Sequence, residues 1–177
     1  MRYETRLMIR VGAALALMLI PVNIFHILLT LPTLYLSYLP IVLMGYKITI
    51  TGNIIEIGEH TLKFISACTA TSAYYLLAIL VLLTKDIKFK RGLKIFIIGS
   101  LLILAMNIIR IDALLIVLME SGVNMFQTLH IIFWEIVSSL YVAAVWIFLV
   151  RKYKVKSIPA ISDIKELYKK SKLKVKI

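Results

Sequence analysis

Residues 93–119 read LKIFIIGSLLILAMNIIRIDALLIVLM. A helix needs about 20 residues to cross a hydrocarbon core of about 30 Å, and this run is long enough. Beyond Lys94 its only charges are Arg110 and Asp112. A charged arginine at a membrane helix centre costs roughly 2.5–3.5 kcal/mol on insertion scales, so Arg110 calls for a structural or chemical reason. Asn107 lies three residues earlier and shares its helix face.

The rest of the chain reads the same way. It has 177 residues, 61% of them hydrophobic, and a mean hydropathy of +0.94. A soluble domain sits nearer half apolar, so lipid is the expected solvent. Three further runs approach spanning length, at residues 7–29, 68–84 and 130–150. A fifth apolar stretch, residues 31–46, carries Pro32, Pro40, Tyr35, Tyr38 and Tyr46. Proline interrupts helix hydrogen bonding and tyrosine favours the membrane interface, so this stretch reads as an interfacial or re-entrant segment.

Charge sets the orientation. The net charge is +12, and 18 of the 21 basic residues fall in three places. Arg2, Arg6 and Arg10 lie at the start, five lie between Lys85 and Lys94, and ten follow from Arg151. The positive-inside rule puts all three stretches in the cytoplasm, which four crossings satisfy. The basic tail then marks topology and meets anionic lipid rather than nucleic acid. No small-residue cleavage site follows the first apolar run, which reads as an uncleaved anchor.

Residues 47–66 fall outside. Ile48, Ile50, Ile55, Ile57, Leu62 and Phe64 alternate with polar residues, which is strand spacing. Gly52-Asn53 and Gly58-Glu59-His60 stand where tight turns belong. The expected fold is thus an all-α integral membrane protein. It has about four transmembrane helices, one interfacial or re-entrant segment and a small extracytoplasmic β-meander. Residues 1–150 form a single membrane domain and residues 151–177 a basic cytoplasmic tail.

Three polar residues agree in depth at a helical rise of about 1.5 Å per residue. Counting from the nearest cytoplasmic charge, Cys68 lies about 26 Å from Lys85, Arg110 about 24 Å from Lys94, and His130 about 32 Å from Arg151. The chemistry of such a trio is coherent. A free thiol, with a pKa of about 8.5, carries little thiolate at neutral pH. A histidine takes its proton and later returns one to a leaving amine. An arginine stabilises the thiolate or an oxyanion, strongly so in a dry site. Each residue also has an ordinary structural reading. Cys68 is the single cysteine and suits a small buried hydrophobe. His130 suits an interfacial polar group, Arg110 a partner for Asp112 or Glu120, and Asn107 an interhelical hydrogen bond.

The order of these features resembles the exosortase/archaeosortase family of membrane transpeptidases. The matching pieces are Gly52-Asn53-Ile54-Ile55-Glu56-Ile57, Ser66-Ala67-Cys68-Thr69-Ala70-Thr71-Ser72-Ala73, Asn107-Ile108-Ile109-Arg110-Ile111, and His130. The family commonly has Cys-Ser-Gly at the nucleophile, where this chain has Cys68-Thr69-Ala70. The resemblance implies Cys68 as nucleophile, Arg110 as thiolate or transition-state partner, His130 as base and acid, and Asn107 in support. It implies a multi-pass cell-membrane enzyme with its site facing outward, no cofactor and no metal. Its substrates would be proteins ending in a short motif, a transmembrane helix and a basic cluster. The acyl group would pass through a thioester to an acceptor, a lipid among the candidates. Two other readings stand beside it. One is a non-catalytic scaffold or transporter-like bundle, in which Arg110, Asp112 and His26 line a polar path or lock helices. The other is a degenerate family member that binds sorting signals without cleaving them.

Overall fold

The structure is a computed structural model that describes residues 3–85, 87–155, 157, 163–164 and 166–168. Most of the basic tail lies outside the described residues. The helices are α1 (Tyr3–Leu19), α2 (Val22–Leu43), α3 (Thr71–Leu83), α4 (Phe89–Ile132) and α5 (Ser138–Lys152). The strands are β1 (Ile48–Thr51), β2 (Ile54–Ile57) and β3 (His60–Lys63). A 3-10 turn at Ser66–Thr69 precedes α3, and a π turn at Phe133–Val137 joins α4 to α5.

The expected first span is broken. Helix α1 ends at Leu19, and Pro21 opens α2. Proline suits the start of a helix, where its missing N–H has no intrahelical partner. The path still climbs beside α3. Arg10 donates to the Leu83 carbonyl at 3.3 Å, and Tyr75 donates to the Leu17 carbonyl at 2.5 Å. Phe25 meets the Tyr75 ring edge-on at 5.9 Å, and His26 reaches Thr69.

Residues 31–43 form regular helix. They continue α2 as helix through Pro32 and Pro40, as far as Leu43. The buried face explains why. Thr30, Thr33, Leu34, Ser37 and Ile41 are at most 7% exposed and recur at helical spacing. Small hydroxyl residues let neighbouring backbones approach, and each proline forfeits only one hydrogen bond. The opposite face presents Leu28, Leu31, Tyr35, Leu39 and Leu43 outward.

The meander forms as the alternation implies, with strand order β1-β2-β3, antiparallel throughout. Ile55, Ile57 and Phe64 are buried beneath it, against Leu34 and Ile41 of α2 and Leu115 and Leu118 of α4. Gly52 and Gly58 take φ +61° and +58° at its two turns, a backbone region open to glycine.

Helix α4 contains a sharp reversal at Gly122 (φ +78°, ψ −178°). Its two limbs, 89–121 and 123–132, run antiparallel, and α5 extends the second. Arg110 meets Ser138, and the Leu102 carbonyl accepts from Tyr141 at 2.9 Å. Gly99 faces Leu77 and Leu149 so closely that a Cβ there would lie 2.6 Å from Leu77 Cδ2. Absence of a side chain at 99 is what lets α3, α4 and α5 meet. This lower core gathers Tyr74, Leu77, Ile95, Ile103, Val145 and Leu149.

The surface is inverted relative to a soluble protein. Leu93, Ile97, Leu101, Ile109, Leu140 and Phe148 face outward while Asn107 and Arg110 are 4% exposed. So large an apolar exterior matches a lipid environment. Two helical stretches, Ile24–Leu43 and Phe89–Lys152, have the length and composition to cross a membrane, and Thr71–Leu83 is a shorter apolar helix. The basic ends gather at one pole. Arg10 pairs with Asp163 at 2.8 Å, and Lys85 pairs with Glu166.

Candidate active site

The site lies between the two cores. Cys68 does not open α3, as its sequence position suggested. It sits in the preceding 3-10 turn, where its N–H donates to the Ile65 carbonyl at 2.9 Å. Ala70 then takes the left-handed conformation (φ +49°, ψ +33°), and α3 begins at Thr71. A non-glycine residue there carries a Cβ penalty of about 1–2 kcal/mol. The glycine that the resemblance leads one to expect here falls on a residue whose backbone favours glycine.

Several polar contacts hold this turn. Asn107 Nδ2 donates to the Cys68 carbonyl at 2.7 Å. Thr69, fully buried, shares a 2.6 Å hydrogen bond with Thr71 and lies 3.3 Å from His26 Nδ1. Thr30 Oγ1 lies 3.1 Å from the same ring nitrogen and donates to the His26 carbonyl at 2.7 Å. The Cys68 carbonyl is thus tied to α4, and the next residue, Thr69, to α2.

Arg110 is buried and donates through Nη1 to Ser138 Oγ at 3.3 Å. Ser138 Oγ donates in turn to the Phe133 carbonyl at 2.7 Å, five residues back. The π turn widens the helix where the guanidinium arrives, a local irregularity frequent at functional sites. His130 is not at the outer start of its helix. It lies about two turns beyond Gly122 and stacks on Phe126, with ring centroids 5.7 Å apart and planes at 9°.

Cys68, Arg110 and His130 line one cleft of about 660 Å³, walled by Phe64, Leu114 and Phe126 among others. The Arg110 charge acts on both Cys68 and His130. Arg110 also borders a second cleft of about 330 Å³, with Ala70, Asn107 and Tyr141. Cys68, Arg110 and His130 therefore converge, with Asn107 at the Cys68 backbone. Asp112 does not line either cleft. The sequence reading missed the roles of Ser138, Thr69 and Thr71. Two adjacent serines in an apolar run, and hydroxyls bracketing Ala70, were the available signals.

This arrangement defines a helical membrane protein with a cysteine-bearing cleft beneath a small sheet. Residues 4–150 match the family model for transmembrane exosortase, and the chain belongs to that family of membrane transpeptidases. No curated protein and no solved structure matches it.

Proposed function

We propose that the chain is a cysteine transpeptidase whose reacting groups are Cys68, Arg110 and His130. The carrying observation is their meeting in one cleft from three separate segments. His130 accepts the thiol proton, and the Cys68 sulfur attacks the scissile carbonyl. Arg110 stabilises the oxyanion that develops, in a cleft walled mostly by apolar side chains. The C–N bond breaks, His130 protonates the leaving amine, and a thioester remains on Cys68. An acceptor nucleophile, deprotonated by the same imidazole, then takes the acyl group and restores the thiol.

The chain crosses the membrane four times in this reading. The crossings are the broken path from Arg10 to about Leu29, α3, the first limb of α4, and the return limb through α5. The pole holding Arg10, Lys85 and Arg151 faces the cytoplasm by the positive-inside rule, which puts the cleft and sheet on the outer side. Substrates are proteins bearing a C-terminal motif, a transmembrane helix and a basic cluster. A substrate anchored in the same bilayer arrives with its motif at the depth of Cys68, which supplies much of the positioning. A lipid is one acceptor that this geometry admits.

The test is processing of a co-expressed substrate carrying such a tail. Cys68→Ala, Arg110→Ala and His130→Ala should each abolish processing while membrane insertion persists. Full processing by Cys68→Ala would end the proposal. The binding-only alternative draws on Ala70, whose strain bears on the nucleophile turn. A thioester found on Cys68 by mass spectrometry would rule it out.

A further inference from the structure

Strand β3 is an edge strand, and it leads directly into the nucleophile turn. The Ile57↔His60 pair closes a two-residue hairpin turn, so the main-chain groups of His60 and Leu62 face β2. Phe64 keeps this parity, its N–H donating to the Asn53 carbonyl at 2.7 Å. The N–H and C=O groups of Thr61 and Lys63 therefore face away from β2. No fourth strand pairs with them among the described residues. Natural sheets commonly shorten, charge or cover such an edge. This edge is short and bears Lys63, yet it borders the Cys68 cleft, to which Leu62, Lys63 and Ile65 all contribute.

We propose that the β3 edge binds substrate as an added strand, delivering its scissile carbonyl to Cys68. This rests on the transpeptidase reading and names how that site holds peptide. The occupant is an extended segment with apolar side chains at alternate positions and no basic residue near the cleavage point. Main-chain hydrogen bonds from Thr61 and Lys63 fix its depth and register. Alternate side chains of an added strand point to one face. On the inner face they enter the cleft among Ile55, Leu62, Leu114, Leu115 and Phe126. The charged groups lining that cleft are Lys63 and Arg110, with no carboxylate among the lining residues. Neutral or acidic peptide fits this field and basic peptide does not.

The test compares three thiol-directed probes on the purified full chain. Iodoacetamide reaches Cys68 without engaging the strand edge. Acetyl-Val-Thr-Val chloromethyl ketone presents main-chain amides, and its fully N-methylated analogue cannot donate from them. In both ketones the sulfur displaces chloride, so the chemistry is matched. The amide probe should modify Cys68 at least about tenfold faster than the N-methylated one, the worth of one or two main-chain hydrogen bonds. Lys63→Pro removes one outward N–H and spares the ladder to β2. It should erase that preference, read as the ratio of the two ketone rates on the same variant. Equal rates for the two ketones on the unmodified chain, with iodoacetamide still reacting, would overturn strand addition and leave the nucleophile reading standing. No iodoacetamide modification of Cys68 would instead overturn the nucleophile reading and this proposal with it. A disulfide-linked dimer from Thr61→Cys in a Cys68→Ala chain would assign the edge to a second copy and also overturn it.

Discussion

Asn107 Nδ2 donates to the Cys68 carbonyl at 2.7 Å, tying the buried face of α4 to the turn that carries the sulfur. Asn107 and Arg110 share that face, so one helix both ties the Cys68 backbone and brings the guanidinium to the cleft. Asn107→Leu leaves a carbonyl without its donor at about 1–3 kcal/mol. The expected result is a loss of processing exceeding tenfold, with insertion unchanged and a lowered melting temperature in detergent. Unchanged processing in a stably folded Asn107→Leu would show that the contact does not position Cys68.

Ala70 is left-handed, and glycine removes its Cβ penalty of about 1–2 kcal/mol. Glycine costs about 0.5–1 kcal/mol in unfolded-chain entropy, so the two effects nearly offset. Ala70→Gly should therefore stabilise the chain by no more than about 1.5 kcal/mol and retain processing. Ala70→Val, β-branched at the same φ, should destabilise it clearly and lower processing. Thermal unfolding of the three proteins in detergent checks the order Gly, Ala, Val.

Gly99 gives a packing prediction. A Cβ there meets Leu77 Cδ2 at 2.6 Å and Leu149 Cδ1 at 2.9 Å. Overpacking of this kind typically costs 1–3 kcal/mol. Gly99→Val should lower the unfolding midpoint, and adding Leu77→Ala should recover part of the loss. Equal midpoints for Gly99→Val and the parent would place α3 farther from α4 than the structure has it.

His26 Nδ1 lies 3.3 Å from Oγ1 of Thr69, the residue after Cys68. His26→Leu strips the partner shared by Thr30 and Thr69 and should slow modification of Cys68 by iodoacetamide. His26→Asn sets an amide near the Nδ1 position and should restore most of the rate. A purely space-filling role would make leucine the better replacement.

Much of the fold was legible because its signals are local. Alternating Ile48 to Phe64 with glycine at both turns specifies the meander, and Arg110 in an apolar run specifies a polar site inside the bundle. Proline misled at residues 31–46. Rules drawn from water treat Pro32 and Pro40 as breakers, whereas α2 keeps its buried face of Thr30, Thr33, Leu34, Ser37 and Ile41. That face is largely hydroxylic while the exposed one is apolar, so scanning for apolar stripes finds the wrong side. The break at Pro21 was hidden within one continuous apolar run. Depth counting brought Cys68, Arg110 and His130 to one level. It left the turn to residues 120–129, whereas the second limb begins just after Gly122 and so sets His130 two turns into its helix. The π turn at Phe133–Val137 is followed by Ser138, whose hydroxyl accepts from Arg110, a contact made across the fold and not along the chain.

The most direct measurement is the intact mass of the full chain recovered from membranes in which a tail-anchored substrate is co-expressed. Shared chemistry by Cys68, Arg110 and His130 predicts a hydroxylamine-labile acyl adduct on Cys68, lost in Cys68→Ala and strongly reduced in Arg110→Ala and His130→Ala. Processed substrate from Cys68→Ala at the parent level would contradict it.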